Sequence, residues 1–549
     1  MNNTTRRRRR VFGVRVAVAA TIVLLTISCS VPNGEVTDRS DSGTFDADVV
    51  LEREMPDLLN RYDVPGIAIA IISGGTPAWR RAWGYADSER GQRLSTDTLV
   101  RAESITKSIT AWGIMRLDEE GLLDLDEPVT ERITSWPAAP RGRGSEGEPE
   151  GSAGRTTGTR RETRGGRDVD RFQKPAARVT ARKLLSHTAG ITAGIVYPRF
   201  EPNEQLPSRE SVLAGTDTIP ATELEFEPGE RFAYSNPGFV LLEALIEETT
   251  GMPFAEYMRE KVLSPLGMHA STFAWSERVE TGLAVAHVVD GTPVSPYREP
   301  VMAHGGLYAT VDDLARFVAA GAVPDTADNT DSTTRSTYPT HPILRPESIE
   351  KMYEPHAEPT SFHALLADAV GLGHFLEVLP DGRTAVSHGG QGTGTLAWSH
   401  RVPESGDGIV VVANSERSFP VLARALSIWG DSIGARPAIA RRYAKIRAWA
   451  VAAASIAALI AVWRAVLLVF GIVRGDRRFA PTRLRSAVLL CVGAIATAAG
   501  VIVGTHKMFA IVLPILSVYL SWSLLALGAV AAAHALFARR RASGTSQVG

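Results

Sequence analysis

A change in composition at residue 448 limits how this chain can fold more than any other feature. Three apolar segments follow, at 448–473, 487–505 and 508–537, and each is long enough to cross about 30 Å of hydrocarbon. The lipid interior offers no hydrogen-bond partners to a bare backbone, so segments that cross it must be helical. The sequence therefore predicts a membrane region at 436–549 with three transmembrane helices, preceded by a separate soluble part.

Arginine-rich stretches flank these segments and indicate their orientation. Residues 474–485 separate the first two segments, and 539–541 follow the third. Cytoplasmic loops collect arginine and lysine, which places both stretches inside and the start of the first segment outside. Another basic stretch, 436–447, would then lie outside against this rule, and the other indications outweigh it. Pro514, near the start of the third segment, is tolerated in membrane helices.

The N-terminus has the pattern of an export signal. An arginine-rich head is followed by a short apolar run at 16–27, whereas a spanning helix needs about 20 residues. Cys29 follows this run and resembles the cysteine of a lipoprotein processing site. Residues 1–29 are therefore interpreted as a signal peptide, although a retained N-terminal anchor fits the same residues. The polar stretch 30–45 is expected to be a flexible linker.

Charge and cysteine content narrow the choice of function. The formal net charge of -1, without a lysine-rich tail, gives no support to a nucleic-acid partner. The two cysteines, Cys29 and Cys491, cannot build a disulfide framework, and no potential ligands have the spacing of a zinc site.

Residues 46–435 form the soluble part, which is large enough for a buried active site. Its centre has helical periodicity at 106–120 and 238–250, each followed by glycine. Its two ends contain β-branched apolar runs separated by turn residues. The predicted strands lie at 66–72, 78–85, 371–378, 383–388, 393–399 and 408–413. We therefore expect an α/β domain of the α+β type, in which an antiparallel sheet from both chain ends encloses a helical insertion.

Two stretches interrupt this pattern. Residues 137–175 are rich in Gly, Arg, Glu and Thr, and residues 325–342 are rich in Thr, Asp and Ser. Neither contains enough apolar side chains to offset the entropy lost on ordering. Both are predicted to be disordered surface insertions.

The first candidate for catalysis is a serine three residues before a lysine. Ser104 and Lys107 begin the helix predicted at 106–120, so both side chains lie on one helix face. A lysine in a partly desolvated site can take the proton of a serine hydroxyl and make it a nucleophile. The pair Ser348 and Lys351 has the same spacing, but neighbouring glutamates favour a solvated surface helix there.

Two further elements carry suitable chemistry. Tyr234 and Asn236 lie in a loop before the helix at 238–250. A tyrosine hydroxyl near an ammonium group can exist partly as phenolate and shuttle a proton, and an amide can hold an acyl carbonyl. A buried tyrosine with a capping asparagine is the alternative. The His-Gly-Gly triplet at 388–390 follows a predicted strand, where glycines let a substrate approach the backbone, and the same triplet at 304–306 precedes a helical stretch and ranks second.

These elements, in this order, resemble the serine β-lactamase and penicillin-binding protein superfamily, specifically its class C β-lactamase-like branch. That branch also contains D-alanyl-D-alanine carboxypeptidases, esterases and D-aminopeptidases. The phrases at 184–190, 226–267 and 305–310 support the likeness, which covers about residues 50–430 and leaves the apolar segments and both insertions unmatched. The resemblance implies a β-lactamase/DD-peptidase-like fold.

The resemblance also implies roles for individual residues. Ser104 would be the acylated nucleophile and Lys107 its activator, with Tyr234 as proton shuttle and Asn236 as ligand of the substrate amide. His388 stands where β-lactamases of this branch carry lysine, so a permanent cation for the antibiotic carboxylate is missing and strong β-lactamase activity is less expected.

The oxyanion hole is also implied by the resemblance. It would be formed by the backbone amides of Ser104 and Gln391, and Gly390 would let the substrate come close to it. No metal or other cofactor is implied.

The expected function is that of a membrane-bound serine hydrolase whose catalytic domain lies outside the membrane. Its substrate would be an ester or a D-amino-acid peptide, such as a peptidoglycan-like peptide, hydrolysed through an acyl-serine intermediate. Two alternatives stay open: a penicillin-binding sensor that is acylated without turnover, and a true β-lactamase. Membrane lipid is an expected partner, nucleic acid is not, and protein partners are not indicated.

A reporter fused after Gly549 tests the predicted topology. Because three spans would return the chain to the cytoplasm, we expect alkaline phosphatase at that position to be inactive. The same phosphatase fused after Gly434, ahead of the first span, is the control and should be active. Phosphatase activity after Gly549 would contradict either the number of spans or their orientation.

Overall fold

The computed structural model describes residues 46–136, 175–323, 343–479 and 483–539. The predictions for the signal peptide, the linker and both insertions fall outside these residues, apart from Pro175. The chain divides into two compact units, which are Phe45–Ala440 and the region from Arg441 onward.

One antiparallel sheet dominates the first unit. The strands of this unit are β1 (Gly66–Ser73), β2 (Thr76–Asp87), β3 (Gln92–Arg93), β4 (Val100–Arg101), β5 (Ala286–His287), β6 (Pro293–Val294), β7 (Tyr308–Ala309), β8 (Ala369–Val370), β9 (Phe375–Val378), β10 (Thr384–Gly392), β11 (Thr395–Val402) and β12 (Asp407–Ala413). Eight of them form the main sheet in the order β3-β2-β1-β12-β11-β10-β9-β8. The others form the short pairs β4–β7 and β5–β6.

The two ends of the domain meet at the centre of this sheet. β1 pairs with β12, beginning with Ile67 opposite Ala413. Successive side chains of a strand point to opposite faces, so Ala68 and Ala70 join the main core while Ile69 is buried on the other face. Burial on both faces explains why β1 is apolar throughout. The predicted antiparallel sheet from both chain ends, with a helical insertion between them, is confirmed.

One predicted strand is wrong in its extent. Residues 371–378 do not form a single strand, because Gly373 has a φ of +71° and the Gly371 amide donates to the His374 carbonyl in a tight turn. This turn separates β8 from β9. β10 also differs from the prediction, since it extends through Gly392 instead of ending at residue 388.

Most helices of the first unit lie in the sequence between β4 and β8. The exceptions are one helix before β1 and one after β12. They are α1 (Ala47–Tyr62), α2 (Ile105–Glu119), α3 (Ala181–Leu185), α4 (Arg209–Ala214), α5 (Pro237–Thr250), α6 (Phe254–Met258), α7 (Glu277–Gly282), α8 (Val311–Ala320), α9 (Pro346–Met352) and α10 (Phe419–Ser432). Single 3₁₀ or π turns occupy Val129–Glu131, Arg259–Leu263, Ser361–Leu365 and Glu416–Ser418. α1 packs against α10, where the Arg424 guanidinium donates two hydrogen bonds of 2.8 Å to the Glu54 carboxylate.

Two of these helices position the site described below. α2 and α5 begin and end within one residue of the helices predicted from periodicity. α5 starts with Pro237, whose fixed φ suits the first turn, and stops at Gly251, which has a φ of +67°. Ile109 of α2 and Leu241 of α5 are buried in the same core as β1.

The apolar helices belong to the C-terminal part of the chain. α11 (Ala438–Val473) is followed by β13 (Arg477–Phe479), α12 (Arg483–Thr505), α13 (Lys507–Val512), α14 (Leu516–Leu536) and β14 (Phe537–Arg539). Among the described residues, three helices are long and apolar enough to cross a membrane: Ala438–Val473, Ala487–Thr505 and Leu516–Leu536. A continuous third helix over 508–537 is wrong, because the helix is interrupted at Pro514, which lacks an amide hydrogen.

The short strands that follow α11 and α14 pair with each other. β13, which follows α11, pairs antiparallel with β14, which follows α14, and Arg477 lies opposite Arg539. The carboxyl ends of α11 and α14 therefore lie on the same side of this unit. This arrangement agrees with the sequence-based placement of 474–485 and 539–541 on one side of a membrane.

The docking of α1 can be tested with two neighbouring substitutions. Leu51 is completely buried, so Leu51→Ala should destabilise the domain by about 2 to 5 kcal/mol through loss of packing. Val49 is 58% exposed on the same helix, and Val49→Ala should change stability by less than about 0.5 kcal/mol. Urea unfolding of the detergent-solubilised protein, followed by tryptophan fluorescence, measures both, and equal effects would contradict the burial of α1.

Candidate active site

The candidate nucleophile lies at the N-terminus of α2. Ser104 is the N-cap residue of this helix, and Lys107 follows one turn later. The Nζ atom of Lys107 donates to Ser104 Oγ at 3.0 Å and to the His304 carbonyl oxygen at 2.7 Å. The structure therefore brings this predicted pair into hydrogen-bond contact.

The polar side chains of α2 hold the helix in place. α2 is buried along most of its length, so each of its hydroxyls needs a partner. The hydroxyls of Thr106, Ser108 and Thr110 each bond the backbone of another segment, at 3.3, 2.6 and 2.9 Å. These bonds fix the position of the serine and the lysine relative to the surrounding loops.

Burial changes the protonation of Lys107. Removal from water lowers the pKa of its amine to about 7, from an ordinary value of 10.5. The negative charges of Glu299 and Glu103 oppose part of this shift. Nζ also lies 5.0 Å from the centroid of the Tyr234 ring. Near neutral pH a large share of Lys107 is therefore a neutral amine that can accept the proton of the neighbouring serine.

Tyr234 reaches the same place from the loop before α5, and Asn236 follows it two residues later. The Tyr234 hydroxyl lies close to the Ser104 hydroxyl, and burial raises the pKa of Tyr234 above its ordinary value. The neutral phenol is therefore favoured, and the partial phenolate suggested by the sequence is not. Asn236 Nδ2 donates to the Ile195 carbonyl at 2.8 Å, while its Oδ1 is buried with no hydrogen-bond partner among the described residues.

β10 brings His388 to this group. The centroid of its imidazole lies 6.4 Å from that of Tyr234, and its Nδ1 contacts the Gly389 carbonyl oxygen at 2.7 Å. Burial, followed by the charge of Lys107, lowers the pKa of His388 to about 3. The imidazole is therefore neutral where a lysine would supply a permanent cation.

Gly390 lets β10 approach the nucleophile. A methyl group added at Gly390 would lie 2.6 Å from the Ala102 carbonyl oxygen and 3.0 Å from the Ser104 amide nitrogen, so only glycine fits. Gln391 is the next residue of the strand and pairs with Leu396 of β11. Gln391 thus follows directly on the residue whose backbone lies close to Ser104.

Two histidines that the sequence analysis did not single out also contact Tyr234. The Ser235 amide donates to His187 Nδ1 at 3.2 Å, and the His187 ring lies 4.4 Å from the Tyr234 ring. His363 stacks on Tyr234 at 4.7 Å, with 19° between the ring planes. Burial lowers the pKa of His363 to about 4 and that of His187 well below its ordinary value, so both are neutral. The phrase at 184–190 was a signal for His187, whereas His363 lies in no recognisable motif.

The triplet at 304–306 contributes to the site in a different way from the triplet at 388–390. The carbonyl oxygen of His304 accepts a hydrogen bond from Lys107 Nζ, so the triplet helps to orient the amine. Glu243 of α5 fixes the loop before it, because its carboxylate accepts two backbone amides of that loop, both at 2.8 Å. Burial raises the pKa of Glu243 to about 7. Sequence reasoning missed Glu243, although its place within the apolar run 239–246 was a signal that it is buried.

The competing pair Ser348 and Lys351 lies on α9, near the opposite end of α2 from Ser104. Lys351 Nζ donates to Asp118 Oδ2 at 3.0 Å, so this amine is held in an ion pair. Ser348 and Ile349 are buried, and the expectation of a solvated helix is wrong for this face. The spacing of serine and lysine is the same in both pairs, but the environment of the lysine differs between them.

Comparison with known proteins agrees with this geometry. The family description "Beta-lactamase" matches residues 51–429, and the chain belongs to this family. The octameric penicillin-binding protein homologue from Pyrococcus abyssi superposes with a TM-score of 0.54 at 26% identity, over 71% of this chain and 78% of that chain. The crystal structure of SurE, with a TM-score of 0.51 at 24% identity over 70% and 76% of the two chains, shows the same fold.

Curated relatives match a shorter part. "Esterase EstB" of Burkholderia gladioli is 32% identical over 218 residues, which are 38% of this chain and 47% of that protein. "Protein flp" of Staphylococcus aureus strain MW2 is 25% identical over 248 residues, which are 45% of this chain and 42% of that protein. The chain therefore matches less than half the length of either relative. The family and fold class expected from the sequence are confirmed.

The pKa of Lys107 gives a testable pH dependence. Only the neutral amine can accept a proton, so kcat/KM should rise with pH through a midpoint near 7 and be lost as the pH falls below it. Lys107→Arg keeps a permanent charge and should reduce kcat/KM by at least about 10³-fold at every pH. Lys351→Arg is the matched control and should leave the profile unchanged. A profile without this acid limb would exclude Lys107 as the base.

Proposed function

We propose that this protein is a membrane-bound serine hydrolase that is acylated on Ser104 and releases the acyl group to water. The observation that carries the proposal is the buried Lys107 amine, with a pKa of about 7, at 3.0 Å from the Ser104 hydroxyl. A neutral amine at this distance can take the serine proton without a separate histidine base. Membership of the Beta-lactamase family supports the same chemistry.

The reaction would begin when Lys107 takes the proton of Ser104 and Oγ attacks the substrate carbonyl. The amides of Ser104 and Gln391 would stabilise the oxyanion, each by about 3 kcal/mol. Tyr234, which is neutral and close to Ser104, would donate its proton to the leaving group and regain it from Lys107. Attack of water on the acyl-serine, with the proton returned to Oγ, would complete the cycle.

The surroundings of Tyr234 favour an uncharged substrate. His187, His363 and His388 contact or approach its ring, and burial holds all three imidazoles neutral. A carboxylate in this position would be desolvated without a permanent cation to pair with it. We therefore rank esters first and D-amino-acid peptides second, and a true β-lactamase below both. The likeness to a protein named an esterase supports this order.

The proposed location is a membrane, with the catalytic domain outside the cytoplasm. Three helices long and apolar enough to span support the attachment. The arginine-rich stretches and the export signal in the sequence support the orientation.

A sensor that is acylated by penicillins without turnover is the second candidate. The likeness to a penicillin-binding protein homologue favours it, because such an activity would use the same serine and lysine. It differs from the first candidate only in the rate of deacylation.

One comparison of substrates tests the proposal. The purified protein should hydrolyse p-nitrophenyl butyrate at least about tenfold faster than a p-nitrophenyl ester that ends in a carboxylate, because the carboxylate would be desolvated unpaired. Ser104→Ala should abolish ester turnover and labelling by a fluorescent penicillin, whereas Ser348→Ala, the matched control, should retain both.

The outcomes separate the candidates. Stable penicillin labelling without ester turnover would favour the sensor, and rapid penicillin turnover would favour a β-lactamase. Full ester turnover by Ser104→Ala would overturn the assignment of the nucleophile.

A further inference from the structure

Glu103 precedes the nucleophile and has no part in the steps proposed above. Its φ is +49°, in the left-handed region that residues with a Cβ seldom adopt. Its side chain is buried, with 5% of its surface exposed. A buried carboxylate on a strained backbone persists only where the surrounding structure holds it, and such positions concentrate at functional sites.

The Glu103 side chain lies between the start of α2 and the turn that joins β10 to β11. Thr395 Oγ1, at the first residue of β11, donates to Glu103 Oε1 at 2.5 Å. A methyl group added at Gly392 would lie 2.2 Å from the same oxygen, and one at Gly390 would lie 2.8 Å from Glu103 Cβ. The carboxylate therefore occupies space that two glycines of β10 leave open.

The carboxylate oxygen that accepts from Thr395 also contacts a cation, and this cation has several other partners. Arg101 Nε lies 3.3 Å from Glu103 Oε1, and Arg101 Nη2 lies 3.4 Å from Glu299 Oε2. The Arg101 guanidinium also donates to the Tyr297 carbonyl at 3.3 Å and to the Tyr308 hydroxyl at 3.2 Å. Glu103 Oε1 thus contacts both the Arg101 guanidinium and the hydroxyl of Thr395, which directly follows the β10–β11 turn.

This position matters because the two amides of the proposed oxyanion hole come from different elements. The Ser104 amide belongs to the start of α2, and the Gln391 amide belongs to β10. Glu103 is bonded covalently to the first and packs against the glycines on both sides of the second. We propose that Glu103 is a positioning residue, which sets the distance between these amides by holding the β10–β11 turn against α2. This inference rests on the proposed function.

Three variants test it. Glu103→Gly removes the side chain while keeping a residue that tolerates the φ of +49°. We expect a loss of about 10- to 100-fold in kcat per active serine, with KM changed less than about threefold, since an oxyanion donor acts mainly in the transition state. Glu103→Gln keeps the length and the hydrogen bond and should recover most of kcat. Thr395→Val removes the same hydrogen bond from the other side and should lower kcat about 5- to 10-fold.

A boronic acid that forms a tetrahedral adduct with the serine provides a second readout. Its affinity should fall in parallel with kcat in Glu103→Gly and Thr395→Val, because the adduct oxygen occupies the oxyanion hole. Active serines are counted by labelling to completion with a fluorophosphonate. Glu377→Gln is the control for loss of a buried carboxylate elsewhere in the domain, where Glu377 pairs with His400 at 3.0 Å, and it should leave kcat per active serine unchanged.

Unchanged kcat and boronate affinity in Glu103→Gly would overturn the proposal. An equal loss in Glu103→Gln and Glu103→Gly would also overturn it, because the effect would then come from charge alone. If Glu103→Gly does not fold, Thr395→Val decides by the same two measurements. Failure of Ser104 to be labelled in the unaltered protein would instead overturn the proposed function, so the two failures are distinguishable.

Discussion

The removal of one lysine ammonium from water is the constraint on which the rest of this structure depends. Lys107 is completely buried beside the hydroxyl it is proposed to activate. An uncompensated charge in such a place is expensive, and proteins relieve the cost by lowering the pKa of the group or by placing opposite charge near it. Both occur here, since Glu299 and Glu103 oppose the effect of burial without cancelling it. The balance keeps the amine close to its neutral form.

The need to surround Lys107 also explains why α2 lies at the centre of the domain. A helix with buried faces all round must satisfy its polar side chains with partners from other segments. Thr106, Ser108 and Thr110 find these partners in the loop that precedes β7 and in the turn between β8 and β9. The loops that complete the site are therefore attached to the helix that carries the nucleophile.

The sequence predicted the helices and strands whose apolar residues follow a regular period. Periodicity located α2 and α5, and alternating apolar runs located the sheet from both chain ends. The order of three short motifs was enough to anticipate that Ser104, Tyr234 and His388 would meet. The break at Pro514 was missed because a proline in an apolar run is compatible with both a continuous and an interrupted helix. His363, Glu243 and Glu103 were missed because their surroundings come from segments distant in sequence.

The pairing of β1 with β12 has a consequence for how the domain is made. β1 is among the first strands to be synthesised, and its central partner is the last strand of the sheet. Until β12 exists, β1 presents an unpaired apolar edge, which is the kind of surface that associates with other chains. The domain can close only when synthesis has nearly reached α11, which among the described residues is the first helix long and apolar enough to cross a membrane. The sheet can therefore be completed only shortly before a helix long and apolar enough to cross a membrane is synthesised, and until then the exposed edge of β1 depends on other elements for protection.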